Sequence, residues 1–270
     1  MTSEEWKIDY IGFLHDGQLE NANKIKKNHI PNKLYRFEKV DENRLATLRN
    51  NNLYVSHTVG FDDPYDAKGY YWDETELRKF FAKEIKNLVD KYYQEIQERV
   101  KEWFESCWIG CFTEDINNFP MWYYYAAKYK GFCVEYDFSK LDEDNQFQQA
   151  LKPVLYMKRK FNLTKTIETV FNPQKIMKGE MPAYYWLHSI GNIVKDESWE
   201  FEKEWRYIGF DDDYKKTGKN IKLPVKPTHI YCGKDMDKSN VDTLSEIAAE
   251  LGCDCSVIAI TDHSSEQFIV

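Results

Sequence analysis

Apolar positions along this chain fall into short alternating runs separated by helical stretches. The run Cys107–Thr113 is apolar, and Glu114 and Asp115 follow at once. Residues 121–130 then pack Trp122, Tyr123, Tyr124, Tyr125 and Tyr129 into one helical span. Gly131 stops it, and 132–138 alternate as a strand. The longest periodic stretch is 74–105, where Leu77, Phe81, Ile85, Leu88, Tyr92, Ile96, Val100 and Trp103 keep steps of three or four. As one straight helix it would run about 45 Å at 1.5 Å per residue, either laid across a sheet or paired with a second copy.

The remaining segments follow the same logic. Strands are expected at 34–37, 53–57, 153–157, 199–210, 221–225, 229–232 and 256–261. Helices are expected at 42–50, 162–171, 181–196 and 239–251, and Asn50, Asn51 and Asn52 end the first of these. Residues 1–30 are polar and read as an N-terminal arm or lid with a weak helix at Leu19–Lys27. Residues 31–270 show no repeat and no break in composition. The expectation is a single α+β domain, with a mixed or antiparallel central sheet and flanking helices that include one long amphipathic helix.

Composition narrows the function classes. The chain has 270 residues, 42% of them apolar, which is enough for a substantial core. A net charge of −8 gives no global footprint for nucleic acid, although a local basic groove stays open. No apolar run approaches a membrane span, and MTSEEWKIDY lacks a secretory h-region, so a cytoplasmic protein is expected. The six cysteines show C-x3-C at Cys107 and Cys111 and C-x-C at Cys253 and Cys255. Neither spacing fits a structural zinc site, and buried free thiols are expected.

Three sets of residues can carry chemistry. If 199–206 is a strand, Glu200, Glu202, Glu204 and Arg206 share a face, with Trp199, Phe201, Trp205 and Tyr207 on the other. Such carboxylates repel unless a cation lies near, and Arg206, Arg36 or a ligand cation can supply it; a solvated face is the plain alternative. Arg36, between Tyr35 and Phe37, can fork onto a phosphate or carboxylate or form a structural ion pair. Asp62, Asp63 and Asp66 can hold a hard cation or close Asx turns around Pro64, and no metal site is assigned. His57 follows a strand without a partner fixed by spacing. No P-loop, GxGxxG, HExxH or GxSxG is present.

Taken in order, several pieces resemble one uncharacterised bacterial family, that of domain of unknown function 2971. They are Leu34-Tyr35-Arg36-Phe37, 45–56, Phe61-Asp62-Asp63-Pro64-Tyr65-Asp66, Cys111-Phe112-Thr113-Glu114, 121–126, 131–136 and 199–206. The resemblance covers most of 31–235. The chain departs from it at Asp62, where the family usually has Asn, and at Tyr124, where it often has His. More loosely, the layout is similar to an ADP-ribosyltransferase core, in which an early strand grips a dinucleotide, a helix follows, and a late strand supplies a glutamate. That likeness implies phosphate binding by Arg36 and stacking of NAD by Tyr35, Trp122 and Tyr125. It places Glu204 as the catalytic carboxylate with Glu202 beside it.

The leading expectation is therefore an NAD-handling enzyme similar to ADP-ribosyltransferases or NAD glycohydrolases, of the phage-defence or toxin kind, with NAD as substrate. One rival is a non-catalytic module that recognises a small molecule, a nucleotide or a partner, with a homodimer through the long helix. The other is a metal-dependent hydrolase or nuclease using Asp62, Asp66 and the glutamates.

Overall fold

Nine strands join into one mixed sheet, and its order explains where every candidate residue lies. The computed structural model describes residues 5–16, 18–58, 61, 66, 68–142, 144–179, 190–210 and 217–259. Its strands are β1 (Leu34–Glu38), β2 (Asn52–His57), β3 (Tyr70–Tyr71), β4 (Cys107–Thr113), β5 (Phe132–Tyr136), β6 (Leu151–Pro153), β7 (Leu155–Met157), β8 (Phe161–Asn162), β9 (Val194–Asp196), β10 (Glu204–Phe210), β11 (Gly218–Lys222), β12 (His229–Cys232) and β13 (Asp254–Val257). The helices are α1 (Glu5–His15), α2 (Leu19–Lys27), α3 (Glu42–Arg49), α4 (Glu74–Ile85), α5 (Val89–Glu105), α6 (Phe119–Tyr124), α7 (Gln146–Ala150), α8 (Thr164–Val170), α9 (Pro173–Met177) and α10 (Lys238–Leu251). The sheet runs β11-β2-β4-β1-β5-β12-β13, with β10 on the other edge of β4 and β6 beyond β10. Only β12 and β13 pair in parallel within it. The α+β expectation stands.

Strand β4 is the hub. Along one edge it pairs with β10 over its whole length, from Cys107↔Phe210 to Thr113↔Glu204. Its other edge is shared. β2 takes the first half through Ser56↔Ile109 and His57↔Trp108, and β1 takes the end through Tyr35↔Thr113. β1 and β2 therefore diverge and leave a fork between them. Gly110 sits opposite this region because any side chain there would collide with Leu53 and Val55 of β2.

Four local differences from the sequence pattern have physical causes. First, residues 5–27 are a pair of packed helices and part of the core, in place of the polar arm or lid expected for 1–30. Trp6, Tyr10 and Leu14 recur every four residues and are buried, and Trp6 stacks on Trp205 at 6.1 Å. Lys26 is fully buried, and its Nζ donates to the carbonyls of Gln148 (2.7 Å) and Gln149 (3.2 Å) at the C-terminal end of α7, where a cation is favoured.

Second, the long helix expected over 74–105 is present from Glu74 to Glu105, but it is bent by a 3-10 turn at Lys86–Leu88. Lys86 takes φ 38 and ψ −96. Arg78 reaches Asp90 across the bend and lies 4.4 Å over the Tyr93 ring. In a straight helix those residues would be about 20 Å apart. The apolar stripe is thus folded against the core through Leu77, Phe81, Tyr93, Ile96, Val100 and Phe104.

Third, the aromatic helix stops at Tyr124, and Ala127, Lys128 and Tyr129 take left-handed φ values of 49, 57 and 65. Gly131 and Gly233 follow in close quarters: a Cβ on Gly131 would meet the Glu38 carbonyl oxygen at 2.2 Å, and one on Gly233 the Tyr129 carbonyl oxygen at 2.1 Å. Fourth, 199–210 is not one strand. Glu197–Glu202 is a 3-10 helix, and Lys203 in the left-handed region (φ 43) swings the chain into β10. Of the helix expected at 181–196, residues 190–193 are helical and Val194–Asp196 is β9; residues 181–189 lie outside the described residues.

Consecutive non-glycine residues in the left-handed region cost about 1–2 kcal/mol each. Lys128 is exposed, so Lys128→Gly is expected to raise stability by about 0.5–1 kcal/mol after the entropy of glycine is set against it. Urea unfolding with an unchanged slope checks this; a loss of stability would show that the lysine side chain outweighs the strain.

Candidate functional site

Glu204 and Arg206 face the same side of β10, and the pairings Glu204↔Thr113 and Arg206↔Cys111 extend that row onto β4. Arg206 is fully buried. Its Nε donates to Glu204 Oε1 (2.9 Å) and its Nη2 to Glu204 Oε2 (2.8 Å), a forked pair within one strand. Nη2 also reaches Asp66 at 2.7 Å, and Nη1 donates to the Asn192 carbonyl at 2.8 Å.

Lys195 enters from β9. β9 pairs with β7 so that Lys195 stands opposite Tyr156. Lys195 Nζ donates to Glu202 (2.5 Å) and Glu204 (3.4 Å), lies 3.3 Å from Asp66, and sits 5.1 Å over the Trp199 ring. The Tyr156 hydroxyl accepts from the Glu204 backbone N–H at 2.8 Å. Glu202, at the end of the 3-10 helix, receives the Tyr125 hydroxyl on Oε1 at 2.5 Å. The result is a buried array of three carboxylates and two cations, with Tyr125, 38% exposed, at its edge.

The two glutamates are driven apart in acidity. Burial and the neighbouring Glu204 charge raise the Glu202 carboxyl above the usual carboxylate range, against the pull of Lys195. Burial also acts to raise Glu204, but Arg206 and Lys195 overcome it and hold that carboxyl down at about 2. Burial pushes the Cys111 thiol well up, so it is not a thiolate. Tyr125 is raised by burial and by Glu202, which keeps its hydroxyl a donor.

The residues expected to form one site are divided by the sheet. Tyr35, Thr113 and Glu204 share a face through their direct pairings, so Arg36 lies on the opposite face. Arg36 closes the fork: Nη1 donates to the Cys111 carbonyl (3.0 Å), Nη2 to the Tyr54 carbonyl (3.4 Å) and Nε to Glu38 (2.5 Å). Tyr35 and Trp122 are on the Glu204 side but buried in a core cluster with Phe37, Cys133 and Tyr231. Trp122 spends its Nε1 on the Ile116 carbonyl at 2.8 Å. Tyr35 lies beside Glu135, a second buried carboxylate that accepts from Tyr231 (2.8 Å) and Thr228 (2.7 Å). Only Tyr125, Glu202 and Glu204 come together.

Lys195 and Tyr156 carry no sequence signal, because each is a lone polar residue in a short segment. Arg206 carries one, as an arginine inside an otherwise apolar strand preceded by acids. Asp66 joins this cluster instead of a cation site, and Asp62 and Asp63 lie outside the described residues. Among the described residues no group of three or more His, Cys, Asp or Glu is placed to hold a metal. No helix there is long and apolar enough to cross a membrane.

Residues 121–207 match a family model, Protein of unknown function (DUF2971). The matched stretch holds Tyr125, Tyr156, Lys195, Glu202, Glu204 and Arg206, so the DUF2971 region contains the array except Asp66 and Cys111. No curated protein and no solved structure is similar enough to match. The looser likeness to an ADP-ribosyltransferase core gains no support from these comparisons.

Breaking a buried ion pair from one side strands the other charge, which costs about 3–5 kcal/mol. Arg206→Met is expected to lose stability on that scale in chemical unfolding, and Arg206→Lys to lose most of it because the fork is gone. Glu204, held near 2 against an ordinary 4.5, contributes stability that is present above pH 4.5 and lost as pH falls towards 2. Glu204→Gln is expected to remove that acid dependence, read from melting temperature against pH; an unchanged slope would mean Glu204 is not the charge responsible.

Proposed function

We propose that the protein cleaves a glycosidic bond at a nucleotide ribose, with NAD as the substrate, in the manner of an NAD glycohydrolase or ADP-ribosyltransferase of the phage-defence or toxin kind. The observation that carries this reading is the pair Glu202 and Glu204, two neighbouring carboxyls with acidities moved in opposite directions, the pattern by which one site divides acid–base roles. Glu204 is the positioning residue, held by the two-point fork to the fully buried Arg206. Glu202 is the working carboxylate, linked to the surface through Tyr125.

The chemistry balances simply. The bond between ribose C1′ and nicotinamide nitrogen breaks, both electrons leave with the ring, and neutral nicotinamide departs. The ribose is left as an oxocarbenium ion, which a carboxylate close to C1′ stabilises. Water, or an acceptor hydroxyl, then attacks C1′ and gives its proton to Glu202. Raised proton affinity makes Glu202 the better base. Lys195, over Trp199, holds its carboxylate in place.

Incubation with NAD and chromatography of nicotinamide tests the proposal. Release is expected from the native chain and to fall by about 100-fold or more in Glu202→Gln. The rate is expected to rise with pH through a value above 4.5, a limb that Glu202→Gln removes. Absence of nicotinamide release, of target labelling and of any NAD-dependent melting shift would sink it. A second reading rests on Tyr123 and Tyr124, exposed at 46% and 63%, which suit a non-catalytic recognition surface. Under that reading Glu202→Gln and Glu204→Gln leave the cellular phenotype intact.

A further inference from the structure

We propose that Cys232 and Cys255 form a site of reversible oxidation, at which a peroxide takes two electrons and leaves a disulfide between β12 and β13. The two sulfurs lie 3.8 Å apart. β12 and β13 pair in parallel, with Ile230 opposite Cys255 and Cys232 opposite Val257, so both thiols stand on one face of the sheet. Tyr35 aligns with Glu135, and Glu135 with His229, which puts His229 and Tyr231 on the face of the carboxylate array and Cys232 on the other. β4, β1 and β5 separate the pair from β10. The site is thus remote from Glu202 and Glu204.

The two thiols differ in role. Cys232 is buried, whereas Cys255 is half-buried on β13, the last strand of the sheet order. Two weak donors converge on Cys255 Sγ: the Cys232 thiol, and the hydroxyl of Ser245 on α10 at 3.7 Å. Both favour the thiolate, and they hold Cys255 at about 7 against the opposing effect of burial. The other five cysteines move the opposite way. Burial raises Cys107, Cys111, Cys133 and Cys253, and its hydrogen bond to Cys255 raises Cys232. The thiolate is the nucleophilic form, and one whose acidity matches its surroundings attacks fastest. Cys255 is therefore the attacking sulfur, and Cys232, still a thiol, resolves the product.

The reaction has two steps. The Cys255 thiolate attacks one oxygen of hydrogen peroxide, the O–O bond breaks, and hydroxide leaves to take a proton from water. Cys255 is then a sulfenic acid, oxidised by two electrons, and the peroxide is reduced. In the second step Cys232 sulfur attacks Cys255 sulfur, the S–O bond breaks, and the departing hydroxide takes the Cys232 proton. The sum is two thiols and one peroxide giving one disulfide and two waters. The sulfurs must close from 3.8 Å to about 2.05 Å. The register sets the two residues on a diagonal, so closure draws β13 along β12. As an edge strand with a single sheet neighbour, β13 can follow. The bond would join residues 23 apart in sequence and hold the intervening α10 to the sheet.

Treatment of the folded, reduced whole chain with a small molar excess of hydrogen peroxide, followed by non-reducing peptide mapping in a mass spectrometer, tests this. A peptide pair linked through Cys232 and Cys255 is expected, and a thiol reductant is expected to undo it. Before oxidation, iodoacetamide is expected to label Cys255 about tenfold faster than any other cysteine. Cys253→Ser is expected to form the same link at an unchanged rate. Cys232→Ser is expected to stop at the sulfenic acid of Cys255, trapped by dimedone; should that variant fail to fold, the map and the labelling order of the native chain decide. The proposal is overturned if no Cys232–Cys255 link forms, if a link through Cys253 predominates, or if another cysteine is labelled first. None of these readouts involves NAD, so the result is separate from that of glycosidic cleavage at the array.

Discussion

The fold is organised around one guanidinium that water cannot reach. Arg206 sits at the middle of β10, paired to the hub strand β4, with no exposed surface. An arginine stays charged under any condition the protein meets, so its surroundings must supply the opposite charge. Glu204 does so from the same strand, Asp66 from the loop before β3, and Asn192 through its backbone just before β9. Segments separated by up to 140 residues in sequence are thereby fixed to one point. Lys195 is the second cation, and its presence is what allows Glu202 as a further buried carboxylate. Such arrays add little net stability over well-packed apolar groups, and their value lies in fixing geometry.

Much of this fold could be read from the chain because most of its elements obey a local rule. Asp41 and Asp73 cap α3 and α4 by accepting from the N–H three residues on, as their position before an apolar period predicts. Asn51 with φ 46 ends the α3 segment as an asparagine there should. The features that the pattern does not announce share a different cause. Periodicity in 74–105 is continuous across the bend because both arms bury the same kind of stripe, so nothing local marks Lys86 as the turning point. The alternation of 199–206 is equally deceptive. A left-handed Lys203 shifts the chain by a turn, and the two glutamates still reach one lysine, which no spacing rule anticipates.

The division of the candidate residues follows from strand pairing. Adjacent residues of a strand point to opposite faces, so Tyr35 and Arg36 cannot serve the same site from β1. Tyr35 aligns with Thr113 and Glu204, which commits Arg36 to the fork, where diverging strands leave carbonyls of β2 and β4 within its reach. A motif read as one unit in sequence is in this way split, Tyr35 going to the core cluster with Trp122 and Arg36 to an open cleft beneath α3. The sheet itself is the partition.

The docking of α1 and α2 bears on how the chain is made. Lys7 bonds the Val154 carbonyl, Lys26 bonds the end of α7, and Trp6 rests on Trp205. Helices α1 and α2 therefore have no complete seat until some two hundred further residues have followed, roughly ten to forty seconds at ordinary rates of synthesis. Through that interval Trp6, Tyr10 and Leu14 form an uncovered apolar stripe along α1, the kind of surface a chaperone holds. The docking of α1 and α2 thus waits on strands made long after them.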